Sequence, residues 1–128
     1  ATRHARNLPL VMRSDGVHLS ERFSGLWKFY GSNVPDKIIA RNFCASLRGG
    51  PRSWWGHRAA FTYPLSRKLR RLEPPVLVIN PDDDLAEQTP RARPLVQYGE
   101  FVDLPYKHGM LDINTGEIAK IVNRFLAQ

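Results

Sequence analysis

The sequence predicts an α/β protein, in which a helical segment precedes a strand–helix–strand–helix run of a parallel sheet. Three observations predict it. Through residues 1–72 apolar side chains recur at spacings of three and four, the period of amphipathic helices. At "PPVLVIN" (74–80) the pattern changes to a continuous run rich in β-branched residues, set between prolines, as expected of a parallel strand buried on both faces. Finally, the most conspicuous polar residues fall just past the ends of the two predicted strands, where α/β sheets gather their functional groups. The expected organisation is therefore a helical segment over 1–72 and an α/β segment over 73–128.

Each element has its own grounds. "RSDGVHLSERFSGLWKFYG" (13–31) opens on the turn signal Asp15-Gly16, and Leu19, Phe23, Leu26, Trp27 and Tyr30 then form a helical stripe, with Ser20 as a candidate cap. "VPDKIIARNFCASLRGG" (34–50) is a second helix: Pro35 starts it, Ile38, Ile39, Phe43 and Leu47 make its stripe, and Gly49-Gly50 end it. "SWWGHRAAFTYPLSRKLRRL" (53–72) reads as a third helix, broken or ended near Pro64. After the strand at 74–80, "TPRARPLVQYG" (89–99) is a short helix that Pro94 interrupts, and "EFVDLP" (100–105) is a second strand. "TGEIAKIVNRFLAQ" (115–128) closes the chain as a helix with a stripe of Ile118, Ile121, Val122, Phe125 and Leu126.

Composition bounds the function. The 128 residues are 42% hydrophobic and 24% charged, the balance of a globular domain able to bury a core. No apolar stretch approaches the roughly 18 residues that span a bilayer, so no membrane association is expected. The N-terminal "ATRHARNLPLV" is basic but lacks a signal peptide's apolar centre, and the single cysteine, Cys44, cannot close an internal disulfide; a cytoplasmic location is the default. A start at Ala1 rather than methionine is a sign of processing or of an excised fragment.

Charge is uneven. Residues 1–72 carry 14 Lys/Arg against 3 Asp/Glu (+11), and residues 73–128 carry 5 against 9 (−4), which together give +7. Such a basic half could meet nucleic acid, a membrane surface or an acidic partner. The densest patch is "SRKLRRL" (66–72), with Trp54, Trp55, Phe61 and Tyr63 nearby. No recognisable nucleic-acid motif accompanies it. A solvated face, or one that meets an acidic segment, is the expected use, and nucleic acid is not an expected partner.

The chemistry lies in "LVINPDDDLAEQTP" (77–90) and "LPYKHGMLDIN" (104–114). A carboxylate held against one imidazole nitrogen fixes the tautomer and stabilises the imidazolium, leaving the other nitrogen to take a proton. Asp84 and His108 have the right types, at the ends of two strands joined by a crossover. By spacing alone the alternative stands level with it: Asp82 to Asp84 form a capping turn, and His108-Gly109 is an ordinary loop.

Residues 74–126 resemble the C-terminal end of the α/β-hydrolase superfamily, through "PPVLVINPDDDL", a helix, "GEFVDLP", "KHGMLD" and a closing amphipathic helix ending in "RFL". Where the family usually has a glycine this chain has Pro81; two residues and then the triad acid follow, so the resemblance places that acid at Asp84 and the triad histidine at His108. Upstream, "DGVHLSERFSGLW" and "SWWGHRAAFTYPLSRKLRRLEPPVLVI" are similar to the helical lid of one branch of these hydrolases. The resemblance implies a partial α/β-hydrolase fold acting on a small ester-type substrate without a cofactor: a nucleophile on a sharp strand-to-helix turn attacks an acyl group, histidine shuttles the proton, and backbone N–H groups hold the oxyanion.

The nucleophile is what the chain lacks. No G-x-S-x-G occurs. Cys44 and Ser46 in "FCASLRG" and Ser24 in "RFSGL" lie within helical patterns, without a preceding buried strand. The expectation is the lid and acid–histidine portion of a serine hydrolase, inactive alone; the alternatives are a non-catalytic basic interaction protein, or part of an aspartate-nucleophile hydrolase of the epoxide hydrolase or dehalogenase kind. The unpaired edge of the first strand invites self-association. Trp54 and Trp55 are candidate substrate-pocket residues, packing being the commoner use of such side chains. His18 reads as a partly buried helix residue, and Asp112 as a support for the loop after His108 or a cap of the last helix. His4 and His57 have no matching ligands, so no metal is expected.

Overall fold

A computed structural model describes residues 11–128, which leaves His4 outside the described residues. The chain divides into two compact units, Ala1–Tyr63 and Pro64–Gln128. The architecture is mixed α/β: helices and one two-stranded parallel sheet.

In the first unit, α1 (Val17–Tyr30) packs on α2 (Asp36–Arg48). Their apolar stripes supply the contact: Phe23 meets Phe43 edge to face with centroids 5.2 Å apart, a favoured aromatic geometry. Val34 and Ile39 are buried there, Ile39 completely. Two polar ties cross the pair, from Arg22 Nε to Ser46 Oγ (3.2 Å) and from Asn42 Nδ2 to the Tyr30 hydroxyl (3.0 Å). The start of α1 differs from the expected one. Gly16, in the left-handed region (φ 71°), takes the cap position, and Asp15 Oδ1 accepts the Val17 N–H at 3.1 Å. Ser20 lies inside the helix and donates back to the Val17 carbonyl at 2.9 Å. A 3-10 turn, Gly50–Arg52, leads to α3 (Trp55–Thr62). The chain leaves helical geometry at Tyr63, as a following proline favours (ψ 130°).

The second unit begins with α4 (Leu65–Leu69) and contains β1 (Val76–Pro81), a 3-10 stretch Thr89–Leu95, β2 (Gly99–Leu104), α5 (Met110–Ile113) and α6 (Thr115–Leu126). The strands run parallel in register from Val76 opposite Gly99 to Pro81 opposite Leu104. Val76 N–H bonds the Tyr98 carbonyl (2.8 Å) and Asp82 N–H bonds that of Leu104 (3.1 Å). The even-numbered backbone groups of β1 therefore face β2, and those of Leu77, Ile79 and Pro81 face away. Pro81 loses no ladder bond by lacking an N–H.

Three details refine the sequence expectations. Val76 to Ile79 are half-buried and only Asn80 and Pro81 are buried, because a sheet of two strands leaves β1 with one neighbour. On α6, Ile118 is buried and Ile121, Val122 and Phe125 continue its inward face, but Leu126 is 73% exposed on the last turn. The stretch 89–95 is 3-10 rather than α, consistent with Pro90 and Pro94 withholding two N–H donors.

Candidate functional site

The carboxyl ends of β1 and β2 lie side by side, and the loops that leave them are stitched together. Asp82 N–H is shared between the carbonyls of Leu104 (3.1 Å) and Tyr106 (2.9 Å), which fixes the start of the acidic turn against the loop leading to His108. Asp83 then closes a local turn: its N–H bonds the Pro81 carbonyl (2.9 Å) and its Oδ1 accepts the Leu85 N–H (2.8 Å). Further turn bonds run from Ala86 N–H to the Asp83 carbonyl and from Gln88 N–H to that of Leu85. Of the three acids, Asp82 contributes its backbone and Asp83 its side chain to the turn. Asp84 is the next residue out.

On the other loop Gly109 adopts φ 84°, ψ 6°, a left-handed conformation that a residue with a Cβ avoids. It turns the chain from His108 directly into α5, whose first bonds run from Asp112 and Ile113 N–H to the Gly109 carbonyl. The result brings His108 Nε2 to 3.8 Å from Asp84 Oδ1. The distance is within ion-pair range but longer than a hydrogen bond. The His108 side chain is 19% exposed and that of Asp84 52%, so the imidazole is sheltered and the carboxylate opens to water. Asp83, Asp84 and His108 each offer a donor atom within 4.8 Å of the others, enough for one divalent cation after small side-chain rotations, although one Asp83 oxygen is already engaged by Leu85.

Beneath this pair, on the sheet itself, runs a polar network that the sequence reading missed. Asn80 Nδ2 donates to Asp103 Oδ1 (2.8 Å), and Arg93 reaches Asp103 Oδ2 (3.1 Å) while its guanidinium stacks over Phe101 at 4.6 Å. Asn80 and Asp103 are register partners, so two polar residues at matching depth in two apolar strands are the signal that could have found it.

The other candidates divide between the units. Trp54 and Trp55 belong to the first unit, whereas Asp84 and His108 belong to the second. Each indole carries an arginine: Arg58 lies 5.2 Å from the Trp54 ring and Arg52 5.3 Å from that of Trp55. Ser24, Cys44 and Ser46 all lie within α1 or α2; Ser46 Oγ donates to the Phe43 carbonyl at 2.7 Å, while Cys44 is exposed. His18 is buried, with Nδ1 accepting the Arg13 N–H at 3.3 Å. Asp112 sits within α5 and Asn114 takes the cap position of α6.

No family model, curated protein or solved structure matches this chain. No helix among the described residues is long and apolar enough to cross a membrane.

Proposed function

We propose that the chain supplies the acid and the base of a nucleophilic acyl hydrolase of the α/β-hydrolase kind, with a small carboxylic ester or related acyl compound as substrate. His108 takes the proton from the nucleophile and returns it to the leaving group. Asp84 meets the ring at Nε2, where its carboxylate balances the imidazolium charge. The observation that carries this reading is the 3.8 Å approach of two groups from loops 24 residues apart, past the ends of adjacent parallel strands. A rotation of the exposed Asp84 carboxylate of less than an ångström's reach turns that approach into a hydrogen bond, and catalytic contacts often tighten only when substrate binds.

The nucleophile and oxyanion donors come from outside these 128 residues. Ser24, Cys44 and Ser46 sit inside helices, where no strained strand-to-helix turn presents them. Hydrolysis of p-nitrophenyl acetate by this chain alone is therefore expected at the solution background. The reading is tested on the reading frame upstream and on the longer product it encodes. A G-x-S-x-G segment after a predicted strand is the expected finding; G-x-D there would reassign the pair to an aspartate-nucleophile hydrolase. In the serine case, His108→Ala should lower kcat by about 10⁴-fold or more. An upstream frame without either motif, or a His108→Ala enzyme with unchanged kcat, removes the proposal.

A further inference from the structure

Cations are plentiful in this chain, with 19 Lys/Arg against 12 Asp/Glu, and Asp15, Glu100, Asp103 and Glu117 each meet one. Asp82, Asp83 and Asp84 meet no lysine or arginine among the described residues. Three consecutive carboxylates repel one another, and a counter-cation relieves that repulsion. An acidic turn alone is commonplace on protein surfaces. What sets this one apart is the side chain that approaches it from the other loop, the sheltered imidazole of His108.

The donors are already gathered and partly fixed. Asp83, Asp84 and His108 each present a ligand atom within 4.8 Å of the other two. Asp83 Oδ1 accepts the Leu85 N–H at 2.8 Å, which orients the carboxylate, and its second oxygen takes no hydrogen bond from the described residues. The Asp84 carboxylate takes none at either oxygen and is half-exposed, so it can rotate. Asp82 N–H, shared between the Leu104 and Tyr106 carbonyls, holds the acidic loop against the histidine loop, and Gly109 fixes the backbone after His108. Two ligands about 2.1 Å from one tetrahedral ion lie roughly 3.4 Å apart, so the 3.8 Å between His108 Nε2 and Asp84 Oδ1 needs to close by only about half an ångström.

We propose that Asp83, Asp84 and His108 bind one divalent transition-metal ion of the zinc kind. Donor chemistry selects the ion: an imidazole nitrogen beside carboxylate oxygens suits zinc and its neighbours, whereas magnesium and calcium prefer oxygen alone. Three protein ligands leave one tetrahedral position to water, the arrangement of an open site rather than a closed structural one. The set is hidden in the sequence, with two ligands adjacent on one loop and the third 24 residues on, because only the parallel pairing brings the two strand ends together. The ion and the proposed proton shuttle share Asp84 and His108 and exclude each other. A cation on the imidazole opposes its protonation and takes up the carboxylate that would balance it. Metal binding itself does not rest on the hydrolase reading.

Titration of the full chain with zinc against a chromophoric chelator tests it, with no ester turnover involved. One equivalent of zinc is expected to bind, and excess magnesium or calcium should not displace it. Asp84→Asn and His108→Ala should each weaken binding at least as much as the loss of a supporting group does, about ten- to a hundredfold. Asp83→Asn should weaken it likewise while keeping an oxygen for the Leu85 N–H, so the turn survives; far-UV circular dichroism verifies that each variant keeps its helices. His57→Ala and Cys44→Ser, in the first unit, should leave binding unchanged. The proposal is overturned if the chain binds no zinc, if His108→Ala binds it as tightly as the parent, if binding departs instead with His57 or Cys44, or if magnesium competes on equal terms.

Discussion

A single backbone conformation governs where the His108 imidazole sits. Gly109 holds φ 84° immediately after His108, so any side chain at 109 is strained irrespective of the space around it. Gly109→Ala is expected to destabilise the second unit by about 1 kcal/mol, visible as a lower urea midpoint with an unchanged slope. If the proposed hydrolase role holds, the same substitution in an ester-hydrolysing form of the protein should also displace the imidazole and lower kcat without a matching change in KM. Position after the strands left Asp84 and His108 level with an ordinary capping turn, and it was the resemblance that singled out Asp84 among the three acids; the chain path brings the two side chains to 3.8 Å. What the sequence could not indicate is that Asp82 and Asp83 spend their polar groups on the turn, a division decided by which N–H groups the chain path brings within reach. The Asn80–Asp103 pair left only a hint, one polar residue near the end of each apolar strand, and the register that joins them is fixed by the folded pairing.

Elements read well where one face is buried and poorly where none is. The stripe Ile38, Ile39, Phe43 and Leu47 placed α2, and it is this face that turns inward. Ile39 is its anchor, with no exposed surface, so Ile39→Ala should lower the stability of the α1–α2 pair by about 2–5 kcal/mol. Loss of hydrogen-exchange protection in both helices would register it; protection equal to the parent chain would show that the pair does not depend on this contact. The segment 53–72, expected as a helix broken or ended near Pro64, resolves into the separate helices α3 and α4 around that residue, and α4 packs on the 3-10 stretch 89–95. A third element-level feature ties α6 to β2. Gln128 and Arg124 both hydrogen-bond the Glu100 carboxylate, at 3.1 and 2.5 Å, and these bonds, the Gln128 one foremost, hold its pKa below the ordinary 4.5. A carboxyl group whose folded value is depressed stabilises above its unfolded value, and that contribution disappears as pH falls through the folded value. The tie should therefore loosen below pH 4.5, and Glu100→Gln should make the acid arm of the stability profile shallower. Lys120 works in the opposite direction: its hydrogen bond to Glu117 raises its pKa, so its contribution is complete below 10.5 and is lost as pH climbs beyond. Both are solvent-facing contacts, and added salt should flatten both arms.

At the level of the whole molecule, the two-stranded sheet is the point of tension. Parallel sheets normally have both faces covered and more than two strands, yet among the described residues β1 has one neighbour and its apolar run Val76 to Ile79 remains half-buried. Its outer edge presents the N–H groups of Leu77 and Ile79 between two prolines, Pro75 and Pro81, whose places on the same side carry no donor. Such an edge is short but able to pair, and a further strand there would both complete the ladder and cover the apolar run. With none supplied, the nearest available strand is β1 of a second copy, which a two-fold axis would bring alongside in antiparallel sense. Sedimentation velocity over a range of concentrations should then show reversible self-association. Leu77→Pro is the discriminating variant. Position 77 faces away from β2, so proline there leaves the intramolecular ladder intact while removing one of the two outward donors, and association should weaken at least severalfold. Association that persists unchanged in Leu77→Pro would mean that copies meet through some other surface, and that the β1 edge is closed in solution by means other than strand pairing.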